Sequence, residues 1–412
     1  MIKKIAVGDL IPGMYVHDLN CGWMDHPFLS SRFLIKNEGM AEKIRRLGIK
    51  ELYIDSSRGA DAPRAQSAVE VRSELRRELD RVVEEVQPVQ RVTLREELEA
   101  ARRVHAEARE TVTRVMQDVR LGRQLEVARV EPVVGEMVES IFRNQEALLG
   151  LGRIRQGDHY TFQHSVSVAV LMITFAKSLE LDRDTIHQIG IGALLHDVGK
   201  IMTPQEILTK PGRLSDAEFE IMKGHVRHSG TVLEASGGIH PAAIQVAVQH
   251  HERYDGSGYP HGLKGDEISL AGHMAGIVDV YDAISSDRCY RRGEEPTAVL
   301  GKLLEWSKFH FHRELTQRFI QCVGIYPVGT LVRLESGRLA VVLEPGEKSL
   351  LHPIVRVVYD TTRARHLKPL DLDLANPSPQ TGDDRIVGYE SPDRWGLQPH
   401  AFFDAPQTAS AG

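Results

Sequence analysis

The spacing of apolar residues changes along the chain, and each change predicts a different kind of structure. Residues 1–62 alternate apolar and polar positions around Ile5–Val7 and Met14–His17, with Gly and Pro between the runs. A short helical stretch, Gly39–Leu47, then leads into the apolar run Glu51–Ile54, so a small α/β accessory module is expected. Residues 63–129 turn to Arg, Glu, Ala, Leu and Val, with apolar positions three and four apart in RSELRRELDRVVEEV and LREELEAARRVHAEARETVTRV. These read as long charged helices parted at Pro88, forming a solvated linker or a dimerising pair. Residues 130–325 are a succession of amphipathic helices joined by short polar loops. Residues 326–370 turn to β in VGTLVRL, the turn ESGR, LAVVLE and IVRVVYD. The predicted fold is mainly α, with a small α/β N-terminal domain and a short β extension.

Composition adds exclusions. The last stretch, residues 371–412, holds seven acidic and two basic side chains among Pro, Ser and Gly, and is expected to be a disordered tail. The 412-residue chain carries 51 Lys and Arg against 57 Asp and Glu, a net charge of −6, which argues against general nucleic-acid binding. Three cysteines with no CxxC pair exclude a disulfide framework and a thiolate zinc site. No run approaches the roughly 20 apolar residues of a membrane span. The start, MIKKIAVGDLIPGMYV, lacks the apolar centre of a signal peptide, so a cytoplasmic location is expected. No Gly-rich phosphate loop follows a strand, which removes the Rossmann and P-loop readings. What remains is an excess of histidine, 19 residues, many of them mid-chain.

Five of these histidines stand at faces or ends of predicted helices: His164 in FQHS, His196 in LLHDVGK, His225 in KGHVRHSG, and His250 and His251 in QHHERYDGSGYP. A lone histidine on an apolar helix is ordinarily a packed, hydrogen-bonded residue. The recurrence, together with Asp197 and Asp279, is what points to a mixed nitrogen and oxygen site for two metals, because a carboxylate can bridge two cations and an imidazole can hold one. Such donors suit iron, manganese or zinc better than calcium or magnesium. Lys200, four residues after His196, falls on the same side, where a cation can meet a phosphate. His228 is an alternative ligand or a neighbour of one, whereas His159, His187, His261, His273, His310 and His312 read as structural or surface residues.

The set HDxGK, HHE with DGxGYP, and DxxDA with SDRxYR resembles the HD-GYP family of bacterial cyclic-di-GMP phosphodiesterases, over roughly residues 130–325. Residues 1–62 also resemble a small domain often found ahead of HD-GYP domains. The resemblance implies an all-helical HD-type metal-dependent hydrolase domain that cleaves cyclic-di-GMP to pGpG, in some members onward to GMP. It implies metal ligation by His164, His196, Asp197, His225, His250, His251 and Asp279, with Asp197 bridging, and a phosphate contact for Lys200. Gly258, Tyr259 and Pro260 match the loop that shapes the substrate side and meets partner proteins, although Asp-Gly and Gly-Tyr-Pro are also ordinary turn residues. Arg288 and Arg291 match residues near guanine and phosphate, or are a solvated face; Tyr290 stands where many members have Pro.

The mechanism expected on this reading is attack by a metal-bridging hydroxide in line with the leaving 3′-oxygen, with Lys200 and two divalent metals, iron or manganese, offsetting the phosphate charge. Some members have a Glu one helical turn before the first ligand histidine, helping to hold a third metal. Here that position is Tyr160, a poor ligand at neutral pH, so two metals are expected and pGpG should accumulate. Two other classes stay open: a cyclic-di-GMP receptor or scaffold with residual activity, and an HD-type hydrolase of another phosphate ester. A homodimer through the helical linker is a further expectation.

Overall fold

A computed structural model describes residues 1–22, 26, 28, 32–83, 92–152, 160–210, 212, 214–286, 293–346, 350–376 and 384–403. At the N-terminus, strands β1 (Ile2–Ala6), β2 (Tyr15–Asp18), β3 (Phe33–Leu34), β4 (Glu51–Asp55) and β5 (Gln66–Ser67) form an antiparallel sheet in the order β3-β2-β4-β1-β5. Helix α1 (Glu38–Arg45) starts where Asn37 accepts a hydrogen bond from the Met40 amide. The alternation seen in the sequence is used directly: Leu52 and Ile54 point inward and join Leu10, Val16, Ile35 and Ile44 in a core of this unit's own.

The helical body comprises α2 (Ala68–Val83), α3 (Leu94–Arg120), α4 (Glu131–Gly152), α5 (Tyr160–Ser178), α6 (Arg183–Leu195), α7 (Gln205–Leu208), α8 (Asp216–Ser236), α9 (Pro241–Gln249), α10 (Leu270–Ser285), α11 (Pro296–Trp306) and α12 (Arg313–Val323). Helices α5 and α10 are apolar nearly all round and lie at its centre, with α6 and α9 packed beside them.

The solvated linker expected over residues 63–129 does not survive for α3. Its stripe Leu94, Leu98, Ala101, Val104, Ala108, Val112, Val115 and Val119 is buried, and the helix packs along α4 and α5. Thr93 and Glu96 cap it reciprocally. Most of the abundant Arg and Glu occupy its outer face, the buried Glu97 being paired with Arg143 and Ser140 of α4, so composition misled where spacing was right. Helix α2 lies over α11 and α12 and buries little beyond Ala68, Val71 and Leu79. Pro88 lies outside the described residues.

After the helices, β6 (Leu331–Leu334), β7 (Arg338–Glu344), β8 (Ile354–Asp360), β9 (Arg365–Asp373) and β10 (Ile386–Tyr389) form a second antiparallel sheet, ordered β10-β6-β7-β8-β9, followed by the short α13 (Pro392–Trp395). This corrects the disordered tail expected over residues 371–412 for residues 371–376 and 384–403, the rest of that stretch lying outside the described residues. Strand β9 runs through Asp373, and β10 pairs Tyr389 with Val332. The acidic side chains have partners on earlier strands: Arg356 meets Asp371 at 2.6 Å, Arg338 meets Asp384 at 2.8 Å, and Arg333 meets Glu390. A charge count confined to the tail misses these cations.

No helix among the described residues is long and apolar enough to cross a membrane.

Candidate metal centre

The centre forms where α5, α6, α8, α9 and α10 converge. His164 projects from α5, His196 ends α6, Asp197 opens the 3-10 turn Val198–Met202, His225 lies on α8, His250 ends α9, His251 follows it, and Asp279 lies on α10. Gly199 makes the approach of the 3-10 turn to α8 possible. A Cβ on it would stand 2.1 Å from the His225 carbonyl oxygen and 2.4 Å from the Ser229 amide nitrogen. Its own amide donates to Ser229 Oγ at 2.9 Å.

All seven side chains predicted as ligands are buried and brought together. Three overlapping groups have donor atoms within 4.8 Å of one another: His225, His250 and His251; His164, His196 and Asp279; and His196, Asp197 and His250. The hydrogen bonds fix which nitrogens face inward. His196, His225 and His250 donate Nδ1–H to the carbonyls of Ala193, Met222 and Ala247 at 2.7, 2.6 and 2.8 Å, which leaves each Nε2 a lone pair. His225 Nε2 and His250 Nε2 then face each other at 3.4 Å with no proton between them. His196 Nε2, His251 Nδ1 and Asp197 Oδ1 are buried without a hydrogen-bond partner. A cluster of enclosed lone pairs is costly unless a cation accepts them, so the donor set fits divalent metals.

The electrostatics agree for five of the seven predicted ligands; at His164 burial lowers the pKa, but Asp279 and Asp282 outweigh it and hold the ring up at about 9, so a cation there must displace a proton. Burial first, with Lys200 next, lowers His225 to about 4, and burial with His196 lowers His250 to about 3. His251 is pushed well down by burial and by His250. For Asp197, burial works against ionisation, but Lys200 and His196 outweigh it and hold the carboxyl well below its usual range. Asp279 behaves likewise, its burial being outweighed by His164. Neutral imidazoles and ionised carboxylates are the forms that metal binding requires.

Lys200 forms an ion pair with Asp197 Oδ2 and keeps about a fifth of its side chain in solvent, at the edge of the cluster. The Gly258–Tyr259–Pro260 loop closes over His251, with the Tyr259 and His251 rings 4.7 Å apart. Gly258 fits only because a Cβ there would stand 2.4 Å from the Arg253 amide nitrogen. Two residues that sequence reasoning passed over support these groups. Glu252, next to the paired histidines, is buried and accepts the His261 and Leu263 amides at 2.8 and 3.0 Å, anchoring the loop. Asp282, three residues after Asp279 and therefore on the same helix face, accepts from His164 Nδ1 at 2.7 Å. His228 is exposed on α8 beside Gly199 and is in none of the three donor groups. Arg288 and Arg291 lie outside the described residues, as does His159, and the Tyr160 side chain is likewise not described.

Two sequence families match this architecture. An HD domain matches residues 137–315, and a domain of unknown function, DUF3391, matches residues 2–130. The chain is thus an HD-domain protein, and its helical body holds the His and Asp donors for the divalent metals that this domain binds. Over 403 residues it is 38% identical to the cyclic di-GMP phosphodiesterase PA4108 of Pseudomonas aeruginosa, covering 97% of this chain and 94% of that one. It belongs to that family of phosphodiesterases. It is also 39% identical over 145 residues to 3'3'-cGAMP-specific phosphodiesterase 1 of Vibrio cholerae, covering 35% of this chain and 33% of that one. A solved structure, Bd1817, an HDG"Y"P protein from Bdellovibrio bacteriovorus, matches at 18% identity and TM-score 0.45, covering 77% of this chain and 98% of that chain.

Proposed function

We propose that the protein hydrolyses cyclic-di-GMP to the linear pGpG with two divalent metals, iron or manganese, held by His164, His196, Asp197, His225, His250, His251 and Asp279. The observation that carries this reading is the facing set of unprotonated nitrogens and ionised carboxylates, arranged as overlapping groups that share His196 and His250. When bound, the metals supply Lewis acidity and an activated water for attack on phosphorus. Asp197 turns one oxygen toward His225 and the other toward His196, which supports reading it as the ligand that would be shared between two metals. Lys200, held by Asp197, places its ammonium where it can offset charge on a non-bridging phosphate oxygen. The Tyr259 loop forms one wall for substrate and a surface for a partner protein, and Arg288 and Arg291 bind guanine or phosphate. The absence of a carboxylate at position 160 supports two metals rather than three, and therefore pGpG as the accumulating product. The reading also includes a cytoplasmic location and a homodimer.

The test is a time course with purified, metal-loaded protein against cyclic-di-GMP and 3'3'-cGAMP. Rapid conversion of cyclic-di-GMP with a pGpG phase before any GMP is expected. Preference for 3'3'-cGAMP would transfer the reading to that substrate. Tight cyclic-di-GMP binding without turnover would return it to a receptor.

A further inference from the structure

The histidines of the centre are not held alike. Three of them, His196, His225 and His250, donate Nδ1–H to a neutral carbonyl one turn earlier in their own helix. His164 instead lies against the carboxylate of Asp282, Nδ1 to Oδ2 at 2.7 Å, across from α5 to α10. Asp282 is buried, and its other oxygen accepts from Ser286 Oγ at 3.2 Å, which fixes its orientation. A carboxylate behind an imidazole draws the Nδ1 proton toward itself and leaves Nε2 more electron-rich than a carbonyl does.

The groups in front of the histidines are equally uneven. His164 Nε2 faces Asp279 Oδ1 at 3.0 Å and Asp197 Oδ2 at 3.7 Å. The group of His225, His250 and His251 consists of imidazoles alone, with Asp197 Oδ1 no nearer than 3.5 Å and Asp279 Oδ2 4.0 Å from His251. Negative charge is therefore concentrated at the α5–α10 end.

We propose that Asp282 is a positioning residue that acts through His164 and makes the position at His164, His196 and Asp279 the tighter of the two metal positions. The proposal rests on the reading of this cluster as a two-metal centre. Asp282 also lines a cavity of about 550 Å³ between the catalytic helices and the C-terminal sheet, with Tyr281, Ser285, Glu294 and Val328 among its walls.

Titration of metal-free protein with cobalt(II), followed by visible absorption and by metal content, tests this. Wild-type protein should fill two positions in separate steps. Asp282→Asn keeps the size of the side chain and an oxygen that can accept from Nδ1–H, but removes the charge. It should weaken the first step 10- to 100-fold and leave the second step unchanged. Asp282→Glu, which keeps the charge, should recover part of the loss. A downfield Nδ1–H resonance of His164 in the wild type, shifted upfield in Asp282→Asn, gives the same answer spectroscopically. Wild-type affinity in both steps of Asp282→Asn, or equal weakening of both, would overturn the proposal. A wild-type protein that binds no cobalt would instead remove the two-metal reading on which it stands.

Discussion

The C-terminal sheet shares one apolar core with the catalytic helices, whereas the N-terminal sheet keeps its own core and meets them through polar groups. Strands β6, β7 and β8 contribute Leu331, Val341, Val342, Val355 and Val357 to the same buried cluster as α3, α4, α5 and α10. Val328 and Phe403 press on Gly150 of α4 so closely that a Cβ there would lie 3.3 Å from Val328 and 3.5 Å from Phe403. On the other side, Leu10, Val16, Leu52 and Ile54 belong to a separate cluster. What joins that unit to α11 is the buried carboxylate of Glu305, which meets Lys4 at 2.7 Å, Asn20 at 3.0 Å and Tyr53 at 3.0 Å, while Trp306 donates to Asn20 at 2.9 Å. Apolar continuity makes two elements one cooperative unit; a polar joint lets each side keep its structure when the joint fails. The first arrangement suits a structural wall of the catalytic body, and the second suits a domain able to change its docking.

The strongest way to break this contrast is to bury a charge in each sheet. Val341→Asp should cost more than ~4 kcal/mol and unfold the helices together with the sheet, abolishing metal binding. Leu52→Asp should cost as much locally yet leave the helical body folded and loaded with metal. Calorimetry with metal analysis reads both. Helices that stay folded in Val341→Asp would show that the shared core is not shared energetically.

A smaller effect is expected at the polar joint. Glu305→Ala leaves Lys4 buried with Glu51 as its remaining acidic partner, and breaking such a pair typically costs about 3–5 kcal/mol. Hydrogen exchange should rise in β1, β4 and α11, with α5 and α10 unchanged. Equal protection throughout would mean that the apolar surface around the joint carries the docking.

The sequence exposed the centre better than its surroundings. His196 with Asp197, and the adjacent His250 and His251, are local motifs, and their inward aim follows from helix ends that the caps and glycines make predictable. Asp282 was equally visible in the DxxDA pattern, but nothing in a sequence says that its partner is His164, 118 residues earlier and on another helix. Helix α3 was misread because its many charges outweighed the spacing of its apolar residues. The residues after 370 were misread because Arg333, Arg338 and Arg356, which neutralise the acids there, precede that boundary. In each case the missing information was a long-range partner.

The smallest predicted effect asks whether α3 truly belongs to the catalytic body. His105, on that helix, is half-buried with its Nε2 enclosed and without a hydrogen-bond partner. Burial, with Arg109 adding to it, lowers its pKa to about 4 from 6.5. The sign follows from which state takes up the proton. As pH falls below 6.5 the unfolded chain protonates this ring while the native helix excludes the proton, so stability is lost down to about pH 4 and the loss is complete below that. At ~1.4 kcal/mol per pKa unit the whole effect is at most about 3.5 kcal/mol, less if solvent reaches the ring. His105→Leu should therefore flatten the decline in stability between pH 6.5 and 4 by up to about one proton, measured by denaturant unfolding across that range. An unchanged slope would place the ring in solvent and return α3 to the linker that its composition suggested.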